Sequence, residues 1–337
     1  MSTIADVAKE AGVSVATVSR VINGKGTVTA ETAERVNAAI AKFHYQPNVW
    51  GRNLRRKESR MLLVLIPNIT NPYYSSIVSG IEDTARRQDY TTILCITNSD
   101  KTREQEFLNL LRSGRADGAI FLATERDSLT VTKLARTYPV VQCCEYCGDE
   151  EIPHVSIDNF EAARQVLRHL LNLGHRQIGF VGSTNRFIST LQREEGYKSA
   201  LEQAGLQPDE RYLAYADDDY NFLSGVRAVW ELLCLKDRPT AVFCISDMIA
   251  LGAIRAANEL GLDVPQDLTV VGFDDVEYAS MFKPMLTTVS QPCYSLGKVS
   301  ATMLLRQIAT GEKGGAVFLE HKLILRDSSA FYKAGDE

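Results

Sequence analysis

Cys143-Cys144-x-x-Cys147 is the densest set of soft ligands in the 337-residue chain, and zinc is the ion it would suit. A tetrahedral site needs a second ligand pair, and His154 alone does not complete one, so these read as thiols of a reduced protein. Asp217-Asp218-Asp219 lacks the glycine and distal glutamate of a calcium loop and reads as a solvated turn. Gly179-x-x-Gly182 is too short to cradle a dinucleotide. Ser246-Asp247 with the distant His175 has the residue types of a nucleophilic pair, yet no nucleophile elbow surrounds the serine. No catalytic residue, metal or cofactor is therefore expected, and recognition is the remaining chemistry. Arg20 can donate two hydrogen bonds to a guanine, and Val15 and Ala16 can pack on thymine methyls. Hydroxyls of Ser14, Thr17, Ser19, Thr29 and Thr32 suit phosphate oxygens, which fix register without reading sequence.

The elements that must carry this chemistry are legible around it. Thr3-Ile4-Ala5-Asp6 has the form of a capping box, and Ile4, Val7, Ala8 and Ala11 fall on one stripe of a short helix. Gly12-Val13 breaks it, Ser14 caps a second helix from Val15 to about Asn23, and Val18, Val21 and Ile22 face inward. After the turn Asn23-Gly24-Lys25-Gly26, Thr29 caps a third helix with Val36, Ala39, Ile40 and Phe43 on its stripe. Three short helices, the first two joined by a glycine turn, describe a helix-turn-helix domain whose second helix enters the major groove. Charge agrees. Residues 1–60 hold ten Lys/Arg against five Asp/Glu, whereas the rest holds 27 against 37, so a basic head sits on an acidic body.

From Met61 the pattern changes to apolar strands alternating with helices. Strands are expected at 61–66, 92–97, 118–122, 140–143, 155–157, 177–181, 241–245 and 268–273, with helices such as 102–113, 160–173, 190–204 and 247–260. This is an α/β pattern of doubly wound parallel sheets, and its length implies two lobes. Ligands of such sheets bind beyond the carboxyl ends of the strands. That rule selects Asn71, Tyr73 and Tyr74, then Cys144 and Glu145, Asp158, Ser246-Asp247 and Asp274-Asp275. Seven cysteines, an odd number, suit a reducing compartment. No N-terminal secretion pattern and no apolar run near 18 residues occurs, so a cytoplasmic, nucleoid-associated protein without membrane contact is expected.

The run from Thr3 through Ala11-Gly-Val-Ser-Val-Ala-Thr-Val-Ser-Arg-Val-Ile-Asn23 resembles the headpiece of the LacI/GalR family of transcriptional regulators, and Tyr45-Gln-Pro-Asn48 and Arg52-Asn-Leu54 continue the match. Gly174-His-Arg-Gln-Ile-Gly179, Gly272-Phe-Asp-Asp275 and Leu286-Thr-Thr-Val-Ser-Gln291 extend the resemblance through the core. It implies a helix-turn-helix headpiece with a hinge helix, then a two-lobed, periplasmic-binding-protein-like core with three chain crossings. The boundaries implied are 1–47 for the headpiece, 48–60 for the hinge, 61–157 with 289–320 for the first lobe, and 158–288 with 321–337 for the second. It implies that Val15, Ala16 and Arg20 read bases, that Tyr45 and Asn48 hold the DNA backbone, that Ile4, Asn23 and Arg52 belong to the same surface, and that Leu54 wedges into the minor groove. Gly51 stands where the family usually has alanine, which costs about 1 kcal/mol in a helix and predicts a hinge less readily ordered.

In the core the resemblance implies an effector site of Tyr73, Tyr74, Asp158, Arg193, Tyr220, Ser246 and Asp274. Arg193 would clamp the ligand, Asp274 bind its hydroxyls and Tyr220 stack on its ring. Purine-responsive relatives carry an arginine six positions before the clamp, where this chain has Phe187, which argues against a purine. The hinge and the run Ala241–Asp247 look like the cytidine-responsive branch, the Val15-Ala16 pair like galactose-type repressors. The expected function is a repressor of a sugar or nucleoside catabolic operon, a homodimer on palindromic double-stranded operator DNA, controlled by a small polyhydroxylated effector. The dimer surface would include residues 73–88, and the few residues after Ala330 are too short for a tetramer coil. A solute-binding protein, or a sugar or nucleoside hydrolase on the same scaffold, is the alternative; the basic head and missing secretion pattern argue against the first.

Overall fold

The computed structural model describes residues 2–24, 26, 28–45 and 58–332, with Asn23 described by its backbone alone. Asn48, Gly51, Arg52 and Leu54, and with them the expected hinge helix, lie outside the described residues. The chain divides after Ser59 into two compact units.

The first unit holds three helices, α1 (Ile4–Ala11), α2 (Val15–Asn23) and α3 (Ala30–Phe43). Each starts where a hydroxyl can replace the missing intrahelical acceptor of the first turn. Thr3 Oγ1 accepts from Asp6 N at 3.3 Å while Asp6 Oδ2 accepts from Thr3 N at 2.7 Å, which is the reciprocal capping box. Ser14 accepts from Thr17 N and Thr29 from Thr32 N. Gly12 and Gly24 end the first two helices at φ 64° and 59°, a left-handed turn that a Cβ resists. Val7, Ala8, Ala11, Val18, Val36 and Ala39 form the small buried core. An ion pair from Lys42 to Glu10, 2.7 Å, links α3 to α1.

The second unit holds two six-stranded sheets. The first is built from β1 (Met61–Ile66), α4 (Pro72–Arg86), β2 (Thr91–Ile96), α5 (Lys101–Arg112), β3 (Gly118–Phe121), α6 (Leu129–Ala135), β4 (Val140–Cys143) and β5 (His154–Ile157). The chain then crosses to α7 (Asn159–Asn172), β6 (Ile178–Ser183), α8 (Ile188–Gln203), β7 (Leu213–Ala216), α9 (Phe222–Leu233), β8 (Ala241–Cys244), α10 (Asp247–Glu259), β9 (Thr269–Asp274), α11 (Tyr278–Met281) and β10 (Thr287–Ser290). It returns with α12 (Cys293–Thr310) and β11 (Ala316–Leu319) to the first sheet, and crosses last with β12 (Lys322–Ile324). The strand orders are β11-β5-β4-β3-β1-β2 and β12-β10-β9-β8-β6-β7, parallel throughout except for β12 on β10. Helices on both faces leave the central strands continuously buried, which is why they read as uninterrupted apolar runs.

Val289 and Ser290, expected in the first lobe, pair with Phe273 and Asp274, so the chain leaves the second sheet only after 290. In the first lobe α4 and α12 approach backbone to backbone. A Cβ on Gly80 would run into the carbonyl of Tyr294, and one on Gly297 into that of Ile77, so glycine is required at both points. The strand ends of both sheets meet in the cleft between the lobes, and that is where the polar side chains of the core collect.

Candidate DNA-binding surface and ligand cleft

On α2 the residues expected to reach bases are presented to solvent. Val15 is 42% exposed, and Ala16 and Arg20 are exposed too, while Thr17 and Ser19 are half-buried. The aliphatic stem of Arg20 lies beside Gly26, so a Cβ there would sit 3.5 Å from its Cδ. The stem is thus guided while the guanidinium stays free of the headpiece core. Ser14 and Thr17 hydroxyls are 3.0 Å apart, and those of Thr29 and Thr32 are 2.9 Å apart. Each pair holds one helix start in register and keeps lone pairs and protons at the surface, where a phosphate oxygen can meet them together with the helix N-terminus. Ile4 and Tyr45 are partly buried against the headpiece core, so their contribution there is support.

In the core, Arg193 and Asp274 are drawn into one buried cluster. Arg193 is 6% exposed and lies on α8 with its guanidinium carbon 3.6 Å from the centre of the Phe273 ring. Its Nε donates to Asn159 Oδ1 at 2.9 Å and an Nη to the carbonyl of Ile245 at 2.6 Å. Asp274 ends β9 with φ 115°, and its Oδ1 accepts from Gln291 Nε2 at 2.8 Å. Burial pushes its carboxyl up to about 7, against the pull of Arg193 and of Gln291. Tyr73 Oη donates to Gln291 Oε1 at 3.3 Å, so α4 of one lobe closes on the amide that holds the aspartate of the other. Tyr74 meets Tyr73 edge to face at 5.3 Å, and Tyr220, in a left-handed conformation, shares a 2.8 Å hydrogen bond with Thr190.

Two cavities lie at the strand ends, one of them walled by Tyr220. One of about 460 Å³ is bounded by Asn68, Asn71, Asn98 and Ser99 of the first lobe and by Asp218, Asp219, Tyr220 and Met248 of the second. The other, about 320 Å³, lies over the ends of β2 and β3 with Phe187 in its wall. Arg193 and Asp274 are satisfied by protein atoms, so a ligand entering the cluster would exchange those hydrogen bonds for its own. A guanidinium stacked on an aromatic ring, a carboxylate and several amides can receive the hydroxyls of a small polar ring while the tyrosines cover its apolar faces.

Other expected site residues are placed elsewhere. Asp158 is exposed and caps α7 through Glu161 N at 2.8 Å, while its neighbour Asn159 is the residue that reaches Arg193. Ser246 caps α10 by accepting from Ile249 N. Asp247 is fully buried and structural: Thr288 Oγ1 and Val276 N donate to its two oxygens at 2.6 and 2.8 Å. Asp275 pairs with Arg326 at 2.7 Å. His175 contacts Thr240 Oγ1 and the carbonyl of Ala330, so it tethers the end of the chain and is no partner of Ser246. Cys143 and Cys144 lie with sulfurs 3.6 Å apart, and no group of His, Cys, Asp or Glu among the described residues is arranged to hold a metal ion.

The sequence reading missed Asn159, Ser189, Thr190 and Gln291 as members of the cleft. Ser189 lies four residues before Arg193, hence on the same face of α8, and that spacing was an available signal. Asn159 and Gln291 gave none, since their partners are 34 and 17 residues away.

Comparison with known proteins fixes the family. Residues 3–48 match the bacterial regulatory proteins of the lacI family, and residues 167–329 match the periplasmic binding protein-like domain. The HTH-type transcriptional repressor CytR of Escherichia coli (strain K12) is 35% identical over 330 residues, 97% of this chain and 96% of the relative. The crystal structure of the lac repressor dimer bound to operator and the anti-inducer ONPF superposes with a TM-score of 0.88 at 29% identity, covering 98% of this chain and 99% of that one. The transcriptional regulator CelR in complex with cellobiose gives 0.75 at 30% identity, covering 98% and 100%. Among the described residues no helix is long and apolar enough to cross a membrane. The family consists of DNA-binding regulators, so the hydrolase alternative falls away. This chain belongs to the LacI family of bacterial regulatory proteins and is a ligand-responsive, DNA-binding transcriptional repressor.

Proposed function

We propose that the repressor acts as a homodimer on a palindromic operator, at the nucleoid in the cytoplasm, and controls the catabolism of the sugar or nucleoside that it binds. Val15, Ala16 and Arg20 read base edges from the major groove, and the hydroxyls of Ser14, Thr17, Ser19, Thr29 and Thr32 fix the register on phosphates. The hinge residues Asn48, Arg52 and Leu54 complete the DNA contact by family resemblance. The effector binds between the lobes, with Arg193 donating, Asp274 accepting paired hydroxyls, and Tyr73, Tyr74 and Tyr220 covering the ring. The observation that carries this reading is the buried meeting of Arg193 and Asp274 at the strand ends of one lobe, under Tyr73 of the other. Because groups of both lobes meet there, a bound effector has different contacts in open and closed arrangements. That difference is what shifts a population and couples effector to operator.

The test is a thermal-shift screen of the purified protein against pentoses, hexoses, nucleosides and nucleobases, followed by operator mobility shifts with each hit. A ligand at a hundredfold excess over its Kd adds about 2.7 kcal/mol to the stability of the folded state. The expected result is a sugar or nucleoside that both raises the melting temperature and changes operator affinity. Operator binding indifferent to every stabilising ligand overturns the cleft as the regulatory site.

A further inference from the structure

Glu145 is a buried charged group between the lobes that the proposed clamp leaves without a task. It follows β4 in the first lobe, is 8% exposed, and reaches across to α8 of the second. Its Oε1 accepts from Ser189 Oγ at 2.5 Å and its Oε2 from Ser189 N at 3.2 Å. Ser189 adjoins Thr190, which holds the Tyr220 hydroxyl at 2.8 Å, so Glu145 lies beside the same cluster. The cluster therefore sets two carboxylates against one guanidinium, and Arg193 is itself held by Asn159 and the carbonyl of Ile245. A buried carboxylate costs several kcal/mol of desolvation unless donors compensate it. A carboxylate has about four lone-pair sites, and Ser189 fills two. Burial still pushes the Glu145 carboxyl upward against the pull of Ser189 and Arg193, so its anion is under-compensated and has acceptor sites to spare, and hydroxyl recognition needs no second anion beside Asp274. A nitrogen donor is the group that such an acceptor favours most, as when a glutamate accepts from the exocyclic amino group of cytosine.

We infer that Glu145 is a specificity-determining residue of the cleft and that the effector carries an amino group as well as hydroxyls, the amino group hydrogen-bonding to the Glu145 carboxylate. The inference rests on the cleft being the effector site. An aminated nucleoside and an amino sugar share this chemistry, and matched pairs separate them.

The experiment is calorimetric titration of the full-length protein with cytidine and uridine, adenosine and inosine, and glucosamine and glucose, each pair differing by an amino group. In wild type the amino member of one pair binds about tenfold more tightly or better, within the range one such contact supports. The pair that responds identifies the source as base or sugar. Glu145→Gln, which turns an acceptor into a donor, brings that ratio to one or inverts it. Ser189→Ala removes the hydroxyl half of the contact across the lobes but leaves the backbone N–H donor and the carboxylate, and keeps the wild-type ratio. Because the ratio compares two ligands on one protein, a partial loss of folding does not move it, and the wild-type pairs decide even if Glu145→Gln fails to fold. Equal binding within every pair, an unchanged ratio in Glu145→Gln, a ratio of one in Ser189→Ala, or no binding of all six compounds overturns the inference. The cleft itself fails separately, by the operator test above; a sugar without an amino group that still controls operator binding overturns only the role of Glu145.

Discussion

Arg20 and Arg193 are the two guanidinium groups that we propose meet a ligand, and the protein holds them in opposite ways. Arg20 projects from a nine-residue helix whose start and stop are set by neighbours within three or four positions, Ser14 before it and Gly24 after it. Its charge remains in water, and little of the headpiece depends on it. Arg193 is enclosed by groups from α7, the end of β8 and β9, and two carboxylates lie within reach of its field. On the proposed assignment the headpiece separates recognition from stability, while the cleft makes the same atoms serve both. A regulator gains from this, because a ligand that rearranges the Arg193 cluster also changes what holds the two lobes in place.

Replacing the two arginines is the strongest way to break this contrast. Arg193→Ala leaves Asp274 and Glu145 buried without their cation, and losing one partner of a buried charge network costs about 3–5 kcal/mol. Urea denaturation should show that loss, and the operator complex should no longer respond to the effector, while operator affinity without effector stays close to wild type. A variant with full effector response would place the clamp elsewhere.

The next effect is a slope with pH. Asp274 titrates near 7 in the folded chain against an ordinary value of 3.8, because burial disfavours its anion. Between about pH 4 and 7 the folded state keeps a proton that the unfolded state has lost, so this group's stabilising contribution is full below pH 4 and falls as pH rises through 7. One proton sets a ceiling of about 1.4 kcal/mol per pH unit. Stability curves of wild type and Asp274→Asn should therefore converge or cross over this range, the variant lacking the decline; parallel curves would show that Asp274 is not the group responsible. The headpiece carboxylate Asp6 is shifted the other way, lowered by hydrogen bonds from Thr3, which is the same contrast in another coordinate.

How legible each region was in the sequence follows from the range of its contacts. The caps at Thr3, Ser14 and Thr29 join residues three apart, so the residue types alone identified them. Buried parallel strands such as β1 are apolar throughout and announce themselves. β7, β11 and β12 carry no clear strand signal, since each has three or four residues, lies at a sheet edge and mixes exposed with covered positions. β10 reads Thr-Thr-Val-Ser, polar enough to pass for a connector, so the sequence points to a return crossing earlier than the one the strand pairing shows. Asp158 fitted the rule that strand ends carry ligand groups, yet the demand of α7 for a cap took its carboxylate and left Asn159 to face the cleft. A local requirement won there over a distant one that the sequence could not display.

A smaller effect sharpens the contrast from the DNA side. Arg20→Ala should weaken operator binding by about 1–3 kcal/mol and relax preference at one base position, with unfolding of the core unchanged. Binding measured across a set of single-base operator variants checks it, and an unaltered preference would remove Arg20 from base reading.

The smallest expected effect concerns the support of the reading helix and not its contacts. Thr3 is the N-cap of α1, and its hydroxyl accepts from Asp6 N while Asp6 answers from the other side. Thr3→Ala removes one half of that exchange, at a typical cost of about 1 kcal/mol. The headpiece core is only a handful of small side chains, so a loss of this size is a large share of what it has. Amide exchange should accordingly quicken across residues 4–43 and leave β1 to β10 unaffected, and operator affinity should fall at every sequence alike, because the groups that read bases are intact. A change in base preference would instead mean that α1 positions Arg20 directly, and the headpiece would then share the coupling of recognition to stability that marks the cleft.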